Sequence, residues 1–101
     1  MTLYWDLGRG VEFDWDEANT RHLARHKVTP VEAEQAFLNE AVEIDYQFVD
    51  QEGRFVAIGT TAVGRFLVIV YTMRGEAIRI ITAFDASAHD RALYLEAKED
   101  L

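Results

Sequence analysis

The chain has 101 residues, which is enough for one domain with one hydrophobic core. Half of the residues are apolar, and the lack of cysteine excludes disulfide scaffolds, thiol catalysis and thiolate metal sites. The net charge of −8 argues against a protein whose main role is to bind nucleic acid. Because the N-terminus lacks the pattern of a secretory signal, we expect a single soluble, cytoplasmic domain over residues 1–101.

The N-terminal part predicts a short strand and two helices. Residues 1–10 carry no clear pattern and are expected to be irregular or disordered, whereas residues 11–13 alternate as in an edge strand. From Asp16 the apolar residues follow helical spacing. A second helix, over residues 30–39, begins with a capping hydroxyl, a proline and a glutamate in residues 29–32. Its buried face is expected to contain Val31, Ala33, Ala36 and Phe37.

Four strands and a last helix are predicted next. Residues 42–48 alternate as in a half-buried strand, and residues 54–61 alternate again. Residues 66–71 are apolar on both faces, which predicts a central strand, and residues 77–84 follow after a tight hairpin. The last helix should begin at Ser87, with Asp90 at its third position, and end near residue 99. Its apolar residues are Ala88, Leu93, Tyr94 and Leu95.

This order predicts an α+β domain. Two N-terminal helices and one C-terminal helix would pack on a four-stranded antiparallel meander.

The basic residues are concentrated in two segments. Residues 19–29 contain three basic residues and no acid, and residues 51–84 contain four arginines and two glutamates. Residues 30–50, by contrast, contain six acids and no base. Two basic segments that face one another would suit a small phosphate site. The alternative, which spacing alone favours, is that both are solvated faces paired with the acidic helices.

Several runs of residues carry a resemblance. They are Phe13-Asp14-Trp15-Asp16-Glu17-Ala18-Asn19, Leu23-Ala24-Arg25-His26-Lys27-Val28-Thr29, Ile58-Gly59, Gly64-Arg65-Phe66-Leu67-Val68-Ile69-Val70-Tyr71-Thr72, Arg74-Gly75, Ile78-Arg79-Ile80-Ile81-Thr82-Ala83, and Asp90-Arg91 with Tyr94. Their order and spacing together resemble the BrnT toxin family over residues 11–97. The resemblance implies a RelE-like fold and ribonuclease toxicity in a type II toxin–antitoxin module. It also implies a ribbon-helix-helix, BrnA-like antitoxin that wraps the toxin and alone contacts DNA. A homodimer stays open as an alternative.

A ribonuclease of this kind needs particular groups. Metal-independent cleavage uses the 2′-hydroxyl of RNA as nucleophile, so the protein supplies a base, an acid and cations for the phosphorane. The resemblance implies Arg25, Arg65 and Arg79 as cations and His26 as acid or base. The predicted RNA-binding residues are Lys27, Arg21, Tyr71 and Arg74. Each of three residues also has a structural alternative. His26 would bond free carbonyls at the end of a helix, Arg79 would lie on the solvated face of a strand, and Tyr71 would lie at the edge of the core.

A metal site is the weakest reading. His22 and His26 have the i, i+4 spacing of zinc ligands on one helical face. However, no glutamate follows His22, and the neighbouring arginines would repel a cation. We therefore expect no metal ion and no other cofactor.

Five positions depart from the family pattern. Asn19 replaces a lysine, His22 an asparagine and Lys27 a glycine, while Phe84 and Asp85 replace an arginine and a second basic residue. Loss of positive charge at a phosphate site weakens RNA binding. The sequence therefore favours a toxin with weakened nuclease activity. The alternative is a non-catalytic, toxin-like module that pairs with the antitoxin in autoregulation.

Overall fold

A computed structural model describes residues 10–99, so most of the segment predicted to be irregular lies outside the described residues. This part of the chain contains three helices and five strands, which confirms the α+β class. In chain order they are β1 (Glu12–Phe13), α1 (Glu17–Ala24), α2 (Pro30–Leu38), β2 (Val42–Val49), β3 (Glu52–Thr60), β4 (Phe66–Arg74), β5 (Ala77–Asp85) and α3 (Ala88–Glu99). Within residues 10–99, none of the helices has the length and apolarity needed to cross a membrane.

The sheet has the strand order β1-β5-β4-β3-β2. Strands β2 to β5 form an antiparallel meander, and β4 is central, as its apolar sequence predicts. The edge strand predicted at residues 11–13 is confirmed as β1. The prediction of a four-stranded, wholly antiparallel sheet is wrong, because β1 precedes both helices and adds a fifth strand that pairs in parallel with β5. A strand of two residues has too little pattern to indicate its partner, so only the structure places it.

Helix α1 is defined by its two ends. At the start, the Asn19 backbone N–H donates to Asp16 Oδ1, and the Asp16 N–H donates to Asn19 Oδ1. At the end, Val28 N–H donates to the Leu23 carbonyl and Lys27 N–H to the Ala24 carbonyl. Lys27 has a φ of 59° at this turn, a left-handed conformation that glycine adopts more easily. The turn brings Leu23 and Val28, both buried, into the core.

Helix α2 confirms the prediction for residues 30–39. Thr29 Oγ1 accepts from the Glu32 N–H, while Glu32 Oε1 accepts from the Thr29 N–H. The helix lies directly on β3, since a Cβ at Gly59 would lie 2.1 Å from the Ala36 carbonyl oxygen. The predicted buried face is wrong at Val31, which is 63% exposed because it points away from this contact.

The two faces of the sheet are covered differently. Helices α1 and α2 cover the larger buried cluster: Leu23, Val28, Ala33, Ala36, Leu67, Ile69, Ile80 and Ala83. On the other face, Tyr94 of α3 packs with Ile58 and Val68. The predicted cap of α3 is confirmed, because Ser87 Oγ accepts from the Asp90 N–H. Of the four apolar residues that predicted this helix, only Tyr94 is buried, whereas Ala88, Leu93 and Leu95 are exposed.

Strand β2 differs from its prediction. It was expected to be half-buried, yet every residue from Glu43 to Val49 is exposed. Alternation indicates two distinct faces of a strand, but it does not show whether any element covers the apolar one. Here β2 lies at the end of the sheet, beyond the part that the helices cover.

Candidate functional site

Helix α1 lies beside strand β5, and a buried amide holds the two together. The Asn19 side chain is 3% exposed, and its Nδ2 donates to the carbonyls of Asp14 at 2.9 Å and Ile80 at 3.0 Å. A buried amide with satisfied hydrogen bonds fixes the relative position of the elements that it joins. Asn19 therefore has a structural role, and we call the space that it borders the α1–β5 groove.

Arg79 of β5 lies at one end of this groove. Its guanidinium lies 3.0 Å from Asp16 Oδ2 and 3.4 Å from Asp14 Oδ2, and its side chain is 13% exposed. The hydrogen bond from Arg79 is the main cause that lowers the pKa of Asp16, and the same bond raises the pKa of Arg79. Arg79 is thus a poorly exposed cation held against two carboxylates, and it does not lie on a freely solvated strand face.

A histidine shares the space next to Arg79. A cavity of about 190 Å³ is lined by Ala18, Asn19, His22, Arg79 and Ile81. The His22 ring stacks on His26 at 6.1 Å between centroids, and His26 in turn lies 5.7 Å from the Phe84 ring. A row of neighbouring side chains therefore leads from the cavity beside Arg79 through two imidazoles to the end of β5. We call these residues, Arg79, His22, His26 and Phe84, the groove residues.

Arg65 occupies a different position, near the end of β5. Its guanidinium donates five hydrogen bonds: to both Asp85 carboxylate oxygens, to Glu32 Oε2, and to the carbonyls of Lys27 and His26. The bond to Asp85 is the largest cause that raises the Arg65 pKa, and it lowers the pKa of Asp85. All the N–H groups of this guanidinium are engaged by protein atoms. Arg65 thus connects the sheet to the turn after α1.

The remaining predicted basic residues are exposed. Arg21, Arg25 and Lys27 lie in or just after the last turn of α1, on the solvent side of the groove, and Arg21 forms an ion pair with Glu17. Arg74 lies on β4, where it contacts Glu52 at 3.1 Å. Because Arg79 pairs across the strands with Thr72, Arg74 is on the same face of the sheet as Arg79.

Tyr71 is separated from this set. It lies on the opposite face of the sheet, with its ring 4.9 Å from Phe37 and 5.2 Å from Phe55. Burial, together with the nearby Glu43 carboxylate, raises its pKa. The structure therefore places Tyr71 with the core and brings His22, Arg79 and the basic end of α1 together.

One residue at the site, and one on the same face of the sheet, did not emerge from the sequence as site residues. The sequence suggests only a zinc-ligand role for His22, although its i, i+4 spacing from His26 places both rings on one helical face. Arg54 of β3 lies on the same face of the sheet as Arg74 and Arg79. Since successive side chains of a strand point to opposite faces, the sequence already places Arg54 on the face opposite to Phe55. Its Nε lies buried 3.5 Å from Glu52 without a hydrogen bond among the described residues.

Residues 15–90, about three quarters of the chain, match the model of a family described as "Ribonuclease toxin, BrnT, of type II toxin-antitoxin system". The chain belongs to the BrnT family. A comparison with curated proteins gives no match. Membership in this family gives the protein a toxin role and implies an antitoxin as its partner. The matched region includes Arg79, Arg65 and the whole of α1, so the α1–β5 groove lies inside it.

Proposed function

We propose that this BrnT-family protein cleaves RNA in the cytoplasm without a metal ion, and that the α1–β5 groove is its active site. The observation that carries the proposal is the shared cavity of Arg79 and His22, because it combines a phosphate-binding cation with an imidazole, a side chain that can accept or donate a proton. His26 stacks against His22 and supplies a second imidazole in reach of the same groove.

Arg79 and the two imidazoles divide the reaction between them. One imidazole takes the proton of the 2′-hydroxyl as its oxygen attacks the phosphorus atom. Arg79 stabilises the pentacoordinate phosphorane, in which two oxygens share the added charge. The second imidazole gives its proton to the departing 5′-oxygen, so the products are a 2′,3′-cyclic phosphate and a 5′-hydroxyl. Arg21, Arg25, Lys27 and Arg74 bind flanking phosphates from the exposed sides of the groove.

Arg65 has another role in this proposal. Since its five hydrogen bonds all go to protein groups, we assign it to positioning His26 and Lys27 through their carbonyls. Arg79 also has competitors, because a phosphate must displace the carboxylates of Asp14 and Asp16. Two carboxylates that compete for one arginine lower the affinity of Arg79 for an RNA phosphate. This competition is the physical basis for a weakened ribonuclease activity.

The test is cleavage of a fluorescent single-stranded RNA by purified protein in the presence of EDTA. Arg79→Ala is expected to reduce the rate at least 100-fold, on the order of one lost transition-state contact. Asp16→Asn is expected to raise it several-fold, because asparagine still caps α1 but no longer competes for Arg79. His22→Ala should lose activity, whereas the matched control His89→Ala, an exposed histidine on α3, should not.

Equal rates for Arg79→Ala and the wild type would contradict the assignment of the groove. So would a product that lacks the 2′,3′-cyclic phosphate.

A second candidate function follows from the same carboxylates. Arg65 and Arg79 each contact two acids, so the free protein presents both arginines in neutralised form. This arrangement favours a non-catalytic toxin-like module that pairs with a ribbon-helix-helix antitoxin in autoregulation. It predicts a tight antitoxin complex and no RNA cleavage, even by Asp16→Asn.

A further inference from the structure

Strand β2 is an open edge of the sheet. One side of it pairs with β3 from Val42 to Val49, and no described strand pairs with the other side. An open edge presents unpaired N–H and C=O groups that another chain can use. Folded proteins usually protect such an edge with charged residues, proline, a bulge or a covering element. Strand β2 has two acids and one register shift near its start, but it contains no lysine or proline. Its single irregularity, between Glu43 and Asp45, leaves the pairing of residues 45–49 continuous.

Two aromatic side chains of β2, Tyr46 and Phe48, form an apolar surface next to this edge. Ile44, Tyr46, Phe48 and Val49 are all exposed, and Phe48 is 67% exposed. Tyr46 and Phe48 pair across the strands with Phe55 and Gly53, so both lie on the face that α2 covers farther in. Clusters of exposed aromatic residues at this scale mark protein interfaces.

One ring of this aromatic surface, Tyr46, packs against aromatic residues that continue into the core. The Tyr46 ring lies 4.9 Å from Phe55, Phe55 lies 5.2 Å from Tyr71, and Tyr71 lies 4.9 Å from Phe37 of α2. A Cβ at Gly53 would lie only 2.5 Å from the Tyr46 hydroxyl, so glycine is what lets this ring lie flat on β3. A ring that its neighbours already hold loses less entropy on binding a partner than a free ring does.

The charge around β2 selects the partner. Glu43 and Asp45 lie on the strand, and residues 30–50 contain six acids and no base. Two copies of the chain paired across this edge would bring these carboxylates together, which is unfavourable for strand pairing. A partner with basic side chains would gain from the same charges. The edge therefore fits a different, basic protein better than a second copy of this chain.

We propose that β2 is the docking edge for the antitoxin, which adds an extended segment of alternating basic and apolar residues as a further strand. The proposal rests on the toxin role, but it is independent of whether the groove cleaves RNA. Main-chain hydrogen bonds along β2 would supply affinity, while Phe48 and the acidic side chains would supply specificity. The partner strand would leave the α1–β5 groove, at the other end of the sheet, uncovered.

The experiment measures binding of the protein encoded by the reading frame adjacent to this chain's gene, using calorimetry with full-length toxin. Phe48→Lys is expected to weaken binding at least tenfold, because it removes the exposed ring and places a cation against a basic segment. Leu95→Lys, at a 53% exposed position on α3, is the matched control and should bind as the wild type does. Glu43→Gln with Asp45→Asn should weaken binding and reduce its dependence on salt.

Full-strength binding by Phe48→Lys would overturn the proposal, as would loss of binding by Leu95→Lys alone or no binding by the wild type. Sedimentation of the toxin without the antitoxin tests whether a second copy of this chain occupies the β2 edge instead. A wild-type dimer that Phe48→Lys converts to a monomer would also overturn the proposal. RNA cleavage by free Phe48→Lys is expected to equal that of the wild type. If no variant cleaves RNA but the binding pattern holds, the ribonuclease proposal fails and the docking edge stands.

Discussion

Replacement of Arg65 by methionine separates a structural from a catalytic role for this residue. The change removes the guanidinium but keeps a long apolar side chain, so it deletes five hydrogen bonds without opening a large cavity. The carbonyls of Lys27 and His26 each lose a charged donor, at about 1 kcal/mol apiece. Asp85 and Glu32 stay accessible to water, so their ion pairs add about 0–1 kcal/mol in total.

The expected loss in the free energy of unfolding is therefore about 2–3 kcal/mol. For a domain of this size, that loss lowers the melting temperature by about 10–20 °C. Thermal unfolding followed by circular dichroism measures it, with Arg74→Met as the control. Arg74 is also paired with a carboxylate but is half-exposed, so its loss should lower the melting temperature by only a few degrees.

Arg65→Lys should fall between the wild type and Arg65→Met, because a single ammonium group cannot reach both carbonyls and both carboxylates. An Arg65→Met protein that melts within about 3 °C of the wild type would refute the positioning role. Arg65 would then be available to contact substrate, as the family resemblance implies.

Two further predictions concern stability. Asp16, Glu32 and Asp85 have a folded-state pKa below the ordinary value, mainly because of Arg79, the Thr29 N–H and Arg65 respectively. The stability that these ionised carboxylates contribute is therefore present above the ordinary carboxyl pKa and is lost as the pH falls below it. The urea concentration at the unfolding midpoint should be similar at pH 7 and pH 5 and lower at pH 3. Equal midpoints at pH 3 and pH 7 would contradict this prediction. Lys27→Gly should raise the melting temperature by about 4 °C by relieving the positive φ, and a lowered value would show that the Lys27 side chain makes a stabilising contact.

The fold follows from the sequence where local chemistry decides it. The caps at Thr29 and Ser87 place the starts of α2 and α3, because a capping hydroxyl acts within one helical turn. The pairing of β1 with β5 joins residues more than sixty positions apart, and two residues carry too little pattern to indicate it. The exposure of β2 depends on how far α2 extends over the sheet, which alternation within the strand does not encode.

The candidate site shows the same division between local and long-range information. The basic run at the end of α1 is visible in the sequence, since charge and spacing are local properties. The position of Arg79 against Asp14 and Asp16 depends on α1 lying beside β5, which the Asn19 amide fixes through the Ile80 carbonyl. The Asn19 side chain is thus a contact that holds the groove together.

The net charge of −8 takes on a specific meaning once the acids are placed. Asp14 and Asp16 contact Arg79, Glu32 and Asp85 contact Arg65, and Glu52 contacts both Arg54 and Arg74. Since most of these carboxylates are accessible to water, each pair contributes little free energy by itself, and an incoming phosphate can replace a carboxylate at small cost. Arg65 and Arg79 then differ in the partners that they have besides carboxylates. Arg65 is also bonded to two backbone carbonyls, whereas Arg79 has only carboxylate partners among the described residues and opens onto a cavity with His22. An anion should therefore exchange into the groove at Arg79 and leave the Arg65 contacts intact.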